Sequence, residues 1–396
     1  MNKSSQINEL LTRSIESILP NEELLRKLLE SEKKLRVYIG ADATGPALHF
    51  GHATNFIVLE RFRRLGHKVI LLIGDFTARI GDPTDKGATR KQLTREEVVQ
   101  NVKEWLQQIG HFVILDDPIN PPEIVFNHDW LSKLSFEGVI ELASHFTVQQ
   151  MLARDMFAKR MDEKKPIYLH EFFYPLMQGF DSVKLDVDVE LCGRDQLFNA
   201  MAGRILQKDC NNRDKFVMLT TLLENPVTKE KMMSKSLGTG IYLNDEPRDM
   251  FGKVMAQPDE NMLQLFRDCT LVSASRIEQI EDEMKVSNPR DIKLELALTM
   301  VKSIYGTEVA EEAKRQFIDT FSSKKTPADM PLLVLEGALD LLSVISKQNA
   351  YSSKSEVRRL LQQGAIKING TTVFENLDLC VDDIVKVGKT HWFRVV

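Results

Sequence analysis

The stretch Tyr38-Ile-Gly-Ala-Asp-Ala-Thr-Gly-Pro-Ala-Leu-His-Phe-Gly-His52 decides the fold of this chain. Residues 35–39 alternate in polarity and include β-branched side chains, which predicts a strand. Residues 52–65 place apolar side chains at helical spacing, and Gly66 is expected to close that helix. A loop rich in Gly and Pro therefore joins a strand to a helix, and His52 lies at the start of that helix.

Two imidazoles lie at this predicted helix start, because His49 and His52 are three residues apart. Free backbone N–H groups and the positive end of the helix dipole favour an anion there. Together with the imidazoles, they indicate a loop that binds phosphate. The alternative is an ordinary strand–turn–helix unit whose histidines lie on the surface.

A second stretch of phosphate-binding character, Lys231-Met-Met-Ser-Lys-Ser236, lies far downstream, between Pro226 and a Gly-Thr-Gly turn. In this order, the two stretches resemble the paired His-x-Gly-His and Lys-Met-Ser-Lys-Ser motifs of class I aminoacyl-tRNA synthetases. Counting back from Ser236, the first lysine of the second motif falls on Met232, with Lys231 one position early. Whether Lys231 replaces that lysine stays open.

The composition bounds the class of protein. With 396 residues, 43% of them hydrophobic and 28% charged, the chain is expected to be a soluble globular protein of two or three domains. It has no apolar run of membrane-spanning length and no secretory signal at its start, so we expect a cytoplasmic location and no membrane. The four cysteines are far apart, which predicts reduced thiols and no metal site. The net charge of −5 requires local patches to hold any nucleic acid.

The pattern of predicted strands and helices is that of a parallel α/β sheet. Strands are expected at 68–74, 124–126, 187–191 and 215–223. Helices are expected at 7–18, 21–32, 95–109, 135–165, 170–182, 197–207, 246–321 and 332–346. Ligands of such sheets bind at the carboxyl ends of the strands, where the loops 40–52 and 75–86 fall.

Three polar side chains, Tyr174, Gln178 and Asp181, share one face of an otherwise apolar predicted helix. Such a face either lines a polar site or forms an internal hydrogen-bond network. Near the end of the chain, the Asn369-Gly370 pair predicts a β-hairpin. The helix before that hairpin carries Lys354, Arg358 and Arg359, and the segment resembles the small RNA-binding S4 module; the alternative is a structural appendage.

Over nearly its whole length the chain resembles bacterial tyrosyl-tRNA synthetases. The resemblance implies an α/β fold: a Rossmann-like catalytic domain over 1–240 with a helical insertion at about 128–166, a helical domain on the anticodon side over 241–325, and a small α+β S4-like domain over 332–396. It implies activation of L-tyrosine with ATP and Mg²⁺, transfer to tRNA(Tyr), and a homodimer. Tryptophanyl-tRNA synthetases and a non-catalytic RNA-binding protein on the same scaffold are the alternatives.

The resemblance also assigns the site residues. Tyr38 and Asp181 would contact the substrate phenol, and the remaining tyrosine-site residues would be Thr77, Asp82, Asn127, Tyr174, Gln178 and Gln196. The ATP site would comprise Gly40, Asp42, Gly51, Gly193, Asp195, Lys231, Ser234 and Lys235. The catalytic set would be Thr44, His49, His52, Lys86, Arg90 and Lys235. Arg194 departs from the family pattern beside Asp195 and is expected to affect the nucleotide side.

Overall fold

The structure is a computed structural model, and it describes residues 2–81, 94–233, 239–321, 330–333, 340–346, 354–388 and 391–396. By its internal contacts the chain divides into two compact units, Met1–Lys314 and Arg315–Val396. The domain boundaries expected from the sequence stay a prediction.

The first unit is built on a six-stranded sheet in the order β1-β6-β5-β2-β3-β4. Strand β1 pairs antiparallel with β6, and the other neighbours are parallel. The strands are β1 (Ile15–Leu19), β2 (Arg36–Ala41), β3 (Lys68–Ile73), β4 (Glu123–Phe126), β5 (Val189–Gly193) and β6 (Phe216–Thr220). The predicted parallel α/β sheet is therefore confirmed.

Helices connect the strands of this sheet and follow it along the chain. Helix α4 begins at a capping box of Thr94 and Glu97, as its sequence predicts. The helices are α1 (Lys3–Thr12), α2 (Glu22–Glu30), α3 (Phe50–Arg64), α4 (Arg95–Ile109), α5 (His128–Leu131), α6 (Phe136–Ser144), α7 (Val148–Leu152), α8 (Asp155–Asp162), α9 (Phe173–Leu185), α10 (Leu197–Asn211), α11 (Pro247–Met255), α12 (Met262–Cys269), α13 (Ala274–Glu283) and α14 (Pro289–Phe321), the last interrupted at Gly306.

The second unit contains a five-stranded sheet in the order β7-β11-β10-β8-β9. Strands β8 and β9 form the hairpin predicted at Asn369-Gly370. Its elements are β7 (Leu332–Leu333), α15 (Leu341–Ile345), α16 (Lys354–Gln362), β8 (Ile366–Ile368), β9 (Thr371–Val373), β10 (Ile384–Val387) and β11 (His391–Val395).

Three helix predictions were wrong in extent. The helix predicted over 7–18 ends at Thr12, because Ser14 takes a left-handed φ of 66° and the following residues pair with β6 as an edge strand. The helix predicted over 332–346 begins with strand β7, which extends the sheet beside β11; among the residues of this range that the structure describes, Leu341–Ile345 form the helical part, after the N-cap Asp340. The stretch 135–165 is three helices, because Thr147 starts a new one with a capping box.

The strand register aligns the carboxyl ends of the parallel strands along one side of the sheet. Ala41 pairs with Ile73, Ile73 with Phe126, and Gly193 with Thr220. These are the last residues of the five parallel strands β2 to β6. The loops that follow them therefore meet at the same edge, where a ligand of a parallel sheet is expected to bind.

Candidate active site

A cleft of about 540 Å³ opens at this edge. Its walls come from the loop 40–52, the start of α3, helix α9 and the ends of β5 and β6. The structure brings together in its lining the following predicted site residues: Gly40, Asp42, Thr44, His49, Gly51, His52, Thr77, Asn127, Tyr174, Gln178, Asp181, Gly193, Asp195, Gln196 and Lys231.

Helix α4 holds the loop before His49 in place. Asn101, Trp105 and Gln108 each donate a hydrogen bond of 2.7–2.8 Å to a backbone carbonyl of residues 43–46. Gln108 also accepts from the N–H of Leu48 at 2.8 Å. These bonds satisfy backbone groups that an irregular loop leaves unpaired, so they fix its conformation.

The two histidines cap helix α3. The N–H of Gly51 donates to His49 Nδ1, and the N–H of His49 donates to His52 Nδ1, both at 3.1 Å. The rings stack with centroids 3.9 Å apart. A Cβ at position 51 would lie 2.9 Å from the His49 ring, so only glycine fits there.

These hydrogen bonds decide the tautomer. Because Nδ1 of each ring accepts a backbone N–H, a neutral ring carries its proton on Nε2 and can donate it to a phosphate oxygen. Burial lowers the pKa of His49 to about 4, and burial with the neighbouring His49 ring lowers the pKa of His52 to about 3. Both rings are therefore neutral near pH 7.

We expect neither ring to titrate between pH 5.5 and 8. Since both pKa values lie below the unfolded value of about 6.5, the two histidines destabilise the fold as the pH falls from 6.5 toward 4 and 3, and cost nothing above 6.5. Histidine-selective NMR, with each signal assigned by a single substitution, measures this. A midpoint above pH 6 for either ring would contradict the assigned hydrogen bonds.

Residues 241–243, which follow the second motif, form backbone hydrogen bonds with residues 48–50 of the first motif. The N–H of Phe50 donates to the carbonyl of Ile241 at 3.1 Å, and the N–H of Leu243 donates to that of Leu48 at 2.8 Å. Lys231 is exposed at the cleft, whereas Met232 is buried, with 4% of its surface exposed. Lys231, and not residue 232, therefore lines the described cleft.

Asp181 lies at the buried end of the cleft, 2% exposed. Trp130 Nε1 donates to its Oδ1 at 2.7 Å, and Asn127 Nδ2 donates to its Oδ2 at 3.3 Å. Burial raises the pKa of Asp181 well above its usual value, while these two donors lower it. Both partners are donors, so the carboxyl oxygens keep lone pairs for a further donor, such as a phenol.

Asp42 ties the polar faces of the cleft together. Tyr174 donates its hydroxyl proton to Asp42 Oδ2 at 2.8 Å, and Thr77 donates to Asp42 Oδ1 at 2.7 Å. Asn127 donates to Thr77 Oγ1 at 3.0 Å. The polar stripe of α9 is thus both an internal network and a lining of the cleft. These acceptor oxygens suit an ammonium group.

Tyr38 lies beneath the described lining of the cleft, and the contact predicted between its hydroxyl and the substrate phenol stays a prediction. Its side chain is 0% exposed, it is absent from the described lining of the cleft, and its hydroxyl is 2.9 Å from Ser182 Oγ. The reason is its strand position, since Tyr38 lies directly opposite Glu190 of β5 and packs into the layer beneath α9. Burial, followed by the charge of Glu190, raises its pKa well above the usual value.

On the other side of the cleft, Gly193 and Asp195 follow strand β5. A Cβ at position 193 would lie 2.7 Å from Asp195 Oδ1, so the backbone and this carboxylate are close. Arg194 does not enter the cleft lining that the structure describes; it is 70% exposed and pairs with Glu16 at 2.9 Å. The expected effect of Arg194 on the nucleotide side gains no support from this contact.

Five predicted site residues lie outside the described residues: Asp82, Lys86, Arg90, Ser234 and Lys235. The three basic residues predicted to bind RNA lie on α16, where Lys354 donates to Ser343 Oγ at 2.7 Å and Arg358 and Arg359 are exposed.

Within the described ranges, no group of three or more His, Cys, Asp or Glu side chains is arranged to hold a metal ion. The four cysteines are free thiols in the structure. No described helix is long and apolar enough to cross a membrane.

Comparison with known proteins agrees with this geometry. The profile of the class I tRNA synthetases for tryptophan and tyrosine matches residues 30–322. The tyrosine–tRNA ligase of Carboxydothermus hydrogenoformans is 42% identical, over 98% of this chain and 97% of that protein. That of Thermotoga maritima is 41% identical, over 98% and 96%. The chain belongs to the bacterial tyrosine–tRNA ligase family. Its relatives favour tyrosine over the tryptophan alternative.

Solved structures of this ligase family share the fold. A C-terminally truncated mitochondrial tyrosyl-tRNA synthetase of Aspergillus nidulans superposes with a TM-score of 0.65 at 22% identity, covering 80% of this chain and 94% of that one. The tyrosyl-tRNA synthetase of Archaeoglobus fulgidus, solved with L-tyrosine, gives 0.60 at 21% identity, covering 79% and 100%.

Part of the site in this family member lies outside the sequence motifs. Trp130 holds Asp181, and Ser182, Glu190 and Lys215 form a buried network beneath the cleft. One signal for the network was present in the sequence: Glu190 and Lys215 are charged residues in or beside apolar strands. Buried charges are rarely found unpaired, so each predicted a partner.

Proposed function

We propose that this chain activates L-tyrosine with ATP and transfers it to tRNA(Tyr). The observation that carries the proposal is the joining, in one cleft, of a histidine-capped helix start with the buried Asp181 site. The first suits phosphates and the second suits a phenol.

The amino acid is held by its two polar ends. Its phenol donates to the Asp181 carboxylate, whose other partners leave room for that bond. Its ammonium lies among acceptor oxygens of Asp42, Thr77, Tyr174 and Gln178, with Asn127 and Gln196 adjacent and Asp82 added from the family pattern. Tyrosine is thereby held with its carboxylate facing the loop 44–52.

The chemical step needs no nucleophile from the chain. The tyrosine carboxylate oxygen attacks the α-phosphorus of ATP, a new P–O bond forms, and the bond to pyrophosphate breaks. The Nε2–H groups of His49 and His52 donate to the phosphates as charge moves onto them, and Thr44 and Lys231 lie beside them. Catalysis is then positioning and electrostatic stabilisation. Lys86, Arg90, Ser234 and Lys235 complete the proposed set.

Mg²⁺ is proposed to enter with ATP. A cation that binds a nucleotide takes most of its ligands from phosphates and water, so it needs no dedicated set of protein ligands. In the nucleotide pocket, Gly40, Gly51, Gly193 and Asp195 face the ribose and the phosphates.

A homodimer is supported by exposed apolar side chains in the segment 136–169. Phe136 is 81% exposed, Leu169 is 71% exposed, and Ile140, Val148 and Tyr168 are each more than half exposed. Clusters of exposed apolar side chains mark interaction surfaces. The second unit is proposed to bind tRNA through α16 as an S4-like module. The cytoplasm, which holds ATP and tRNA, is the proposed location.

Exchange of pyrophosphate into ATP tests the function. The purified chain is expected to catalyse exchange that depends on tyrosine, and not on tryptophan, and then to charge tRNA(Tyr). Exchange with tryptophan alone would favour the related synthetase. No exchange with any amino acid, together with retained RNA binding, would favour the non-catalytic alternative.

Lys231→Ala is expected to slow adenylate formation about tenfold, or about 1.4 kcal/mol, because Lys231 supplies the charge that Met232 cannot. The matched control is Lys229→Ala, an exposed lysine two residues away that does not line the described cleft. It should stay within about twofold of wild type. Single-turnover rates measure both, and equal rates for Lys231→Ala and wild type would show that Lys231 is only a solvated neighbour.

A further inference from the structure

Lys215 is the one lysine that is buried in the part of the chain that the structure describes, with 0% of its side chain exposed. Its ammonium forms an ion pair with Glu190 and donates to Ser182 Oγ at 2.8 Å. Burying such a pair is costly, and an apolar pair of similar volume is often as stable. Stability alone therefore does not account for it.

The ion pair contacts Gln178, which lines the cleft. Glu190 Oε2 contacts Lys215, while Glu190 Oε1 accepts from Gln178 Nε2 at 2.9 Å. A carboxylate can only accept, so it fixes which way the Gln178 amide faces. The NH₂ group is turned to Glu190, and the amide oxygen is left for an ammonium in the cleft.

The same pair also contacts Ser182, whose hydroxyl lies within hydrogen-bond distance of Tyr38. The ammonium can only donate, so Ser182 Oγ accepts on that side and its own proton turns to Glu190 or Tyr38. Tyr38 and Ser182 lie 2.9 Å apart, and Lys215 Nζ lies 5.9 Å from the centre of the Tyr38 ring. The ring is thus fixed by a hydrogen bond and by a cation over its face.

The fold leaves space for this ammonium. A Cβ on Gly203 of α10 would lie 2.5 Å from Lys215 Nζ and 2.7 Å from Ser182 Oγ. Any side chain at 203 would therefore displace both groups. Helix α10, helix α9, strand β5 and the start of β6 together form a pocket for one positive charge beneath the amino-acid site.

We propose that the Lys215–Glu190 ion pair positions the Gln178 amide and the Tyr38 hydroxyl, and so determines affinity and selectivity for the amino acid; this inference rests on the proposed function. Lys215 and Glu190 act through Gln178 and Ser182, so they are positioning residues. Their loss acts on tyrosine binding and leaves the nucleotide side unchanged.

Pyrophosphate exchange with four variants tests the inference. Lys215→Met and Glu190→Gln should each raise KM for tyrosine about tenfold, with KM for ATP and kcat within about twofold of wild type. The double variant should recover to within about threefold, because a Gln at 190 can still accept from Gln178 and no charge is left unpaired. Ser182→Ala, the smallest change, should lower the tyrosine/phenylalanine ratio of kcat/KM about fivefold.

Glu60→Gln is the matched control, because Glu60 is equally buried and is paired with Arg63 away from the cleft. It should lower Tm and leave KM for tyrosine unchanged. If the four variants lose Tm but keep wild-type KM and selectivity, the pair is only structural and the inference is overturned. If the single variants do not fold, an unchanged ratio in Ser182→Ala overturns it. Failure of the wild type to exchange would instead refute the proposed function.

Discussion

Asp181→Asn is expected to lower the tyrosine/phenylalanine ratio of kcat/KM by about 10- to 150-fold, the equivalent of about 1.5–3 kcal/mol for a hydrogen bond to a charged group. Both partners of Asp181, Trp130 Nε1 and Asn127 Nδ2, are donors. An amide at 181 would turn its NH₂ toward one of them and would lose the charge that attracts the phenol. Tyrosyl-tRNA synthetases are themselves the standard example of such discrimination, roughly 10⁵ against phenylalanine, a value that belongs to that class of enzyme.

The matched control is Asp188→Asn. Asp188 is also a buried carboxylate that accepts several donors, Lys33, Arg213 and the N–H of Arg36, but it lies at the opposite end of β5 from the cleft. Its amide variant should lose stability and keep the selectivity ratio. Steady-state kinetics with both amino acids measure this, and an unchanged ratio in a folded Asp181→Asn would show that another group recognises the hydroxyl.

The sequence was sufficient to predict the structural features whose signal lies in neighbouring residues. The Gly/Pro loop before His52 and the capping box at Thr94 depend on neighbouring residues, and both lie where they were predicted. Parallel strands then bring their loops to one edge whatever the details of packing. This is why most predicted site residues in the described chain line one cleft.

The sequence was insufficient to predict features that depend on contacts with residues far away along the chain. Residues 15–19 carry an amphipathic pattern that suits a helix, and only pairing with β6, some 200 positions away, makes them a strand. Tyr38 is adjacent to the loop in sequence, but its register opposite Glu190 buries it. Lys215, the partner of that glutamate, directly precedes a third strand, β6. No spacing along the chain encodes such a three-element contact.

Replacing Lys354, Arg358 and Arg359 together with Ala is expected to lower kcat/KM for tRNA charging about 10³-fold, from three charge-assisted contacts at about 1.5 kcal/mol each. Val357 and Leu361 are buried residues of α16, whereas Lys354, Arg358 and Arg359 are exposed, so the three basic side chains can change without loss of the core. Adenylate formation should stay at the wild-type rate, since none of these residues belongs to the unit that contains the cleft.

Salt dependence separates phosphate contacts from a folding defect. Three lost contacts should reduce the slope of log K for tRNA against log salt by about 2, at roughly 0.7 per contact. The matched control is Lys367→Ala with Lys386→Ala, two basic residues on the sheet of the same unit. This control should charge tRNA within about threefold of wild type. If it loses charging while the α16 variant keeps it, the RNA-binding surface is the sheet, and the assignment to α16 is wrong.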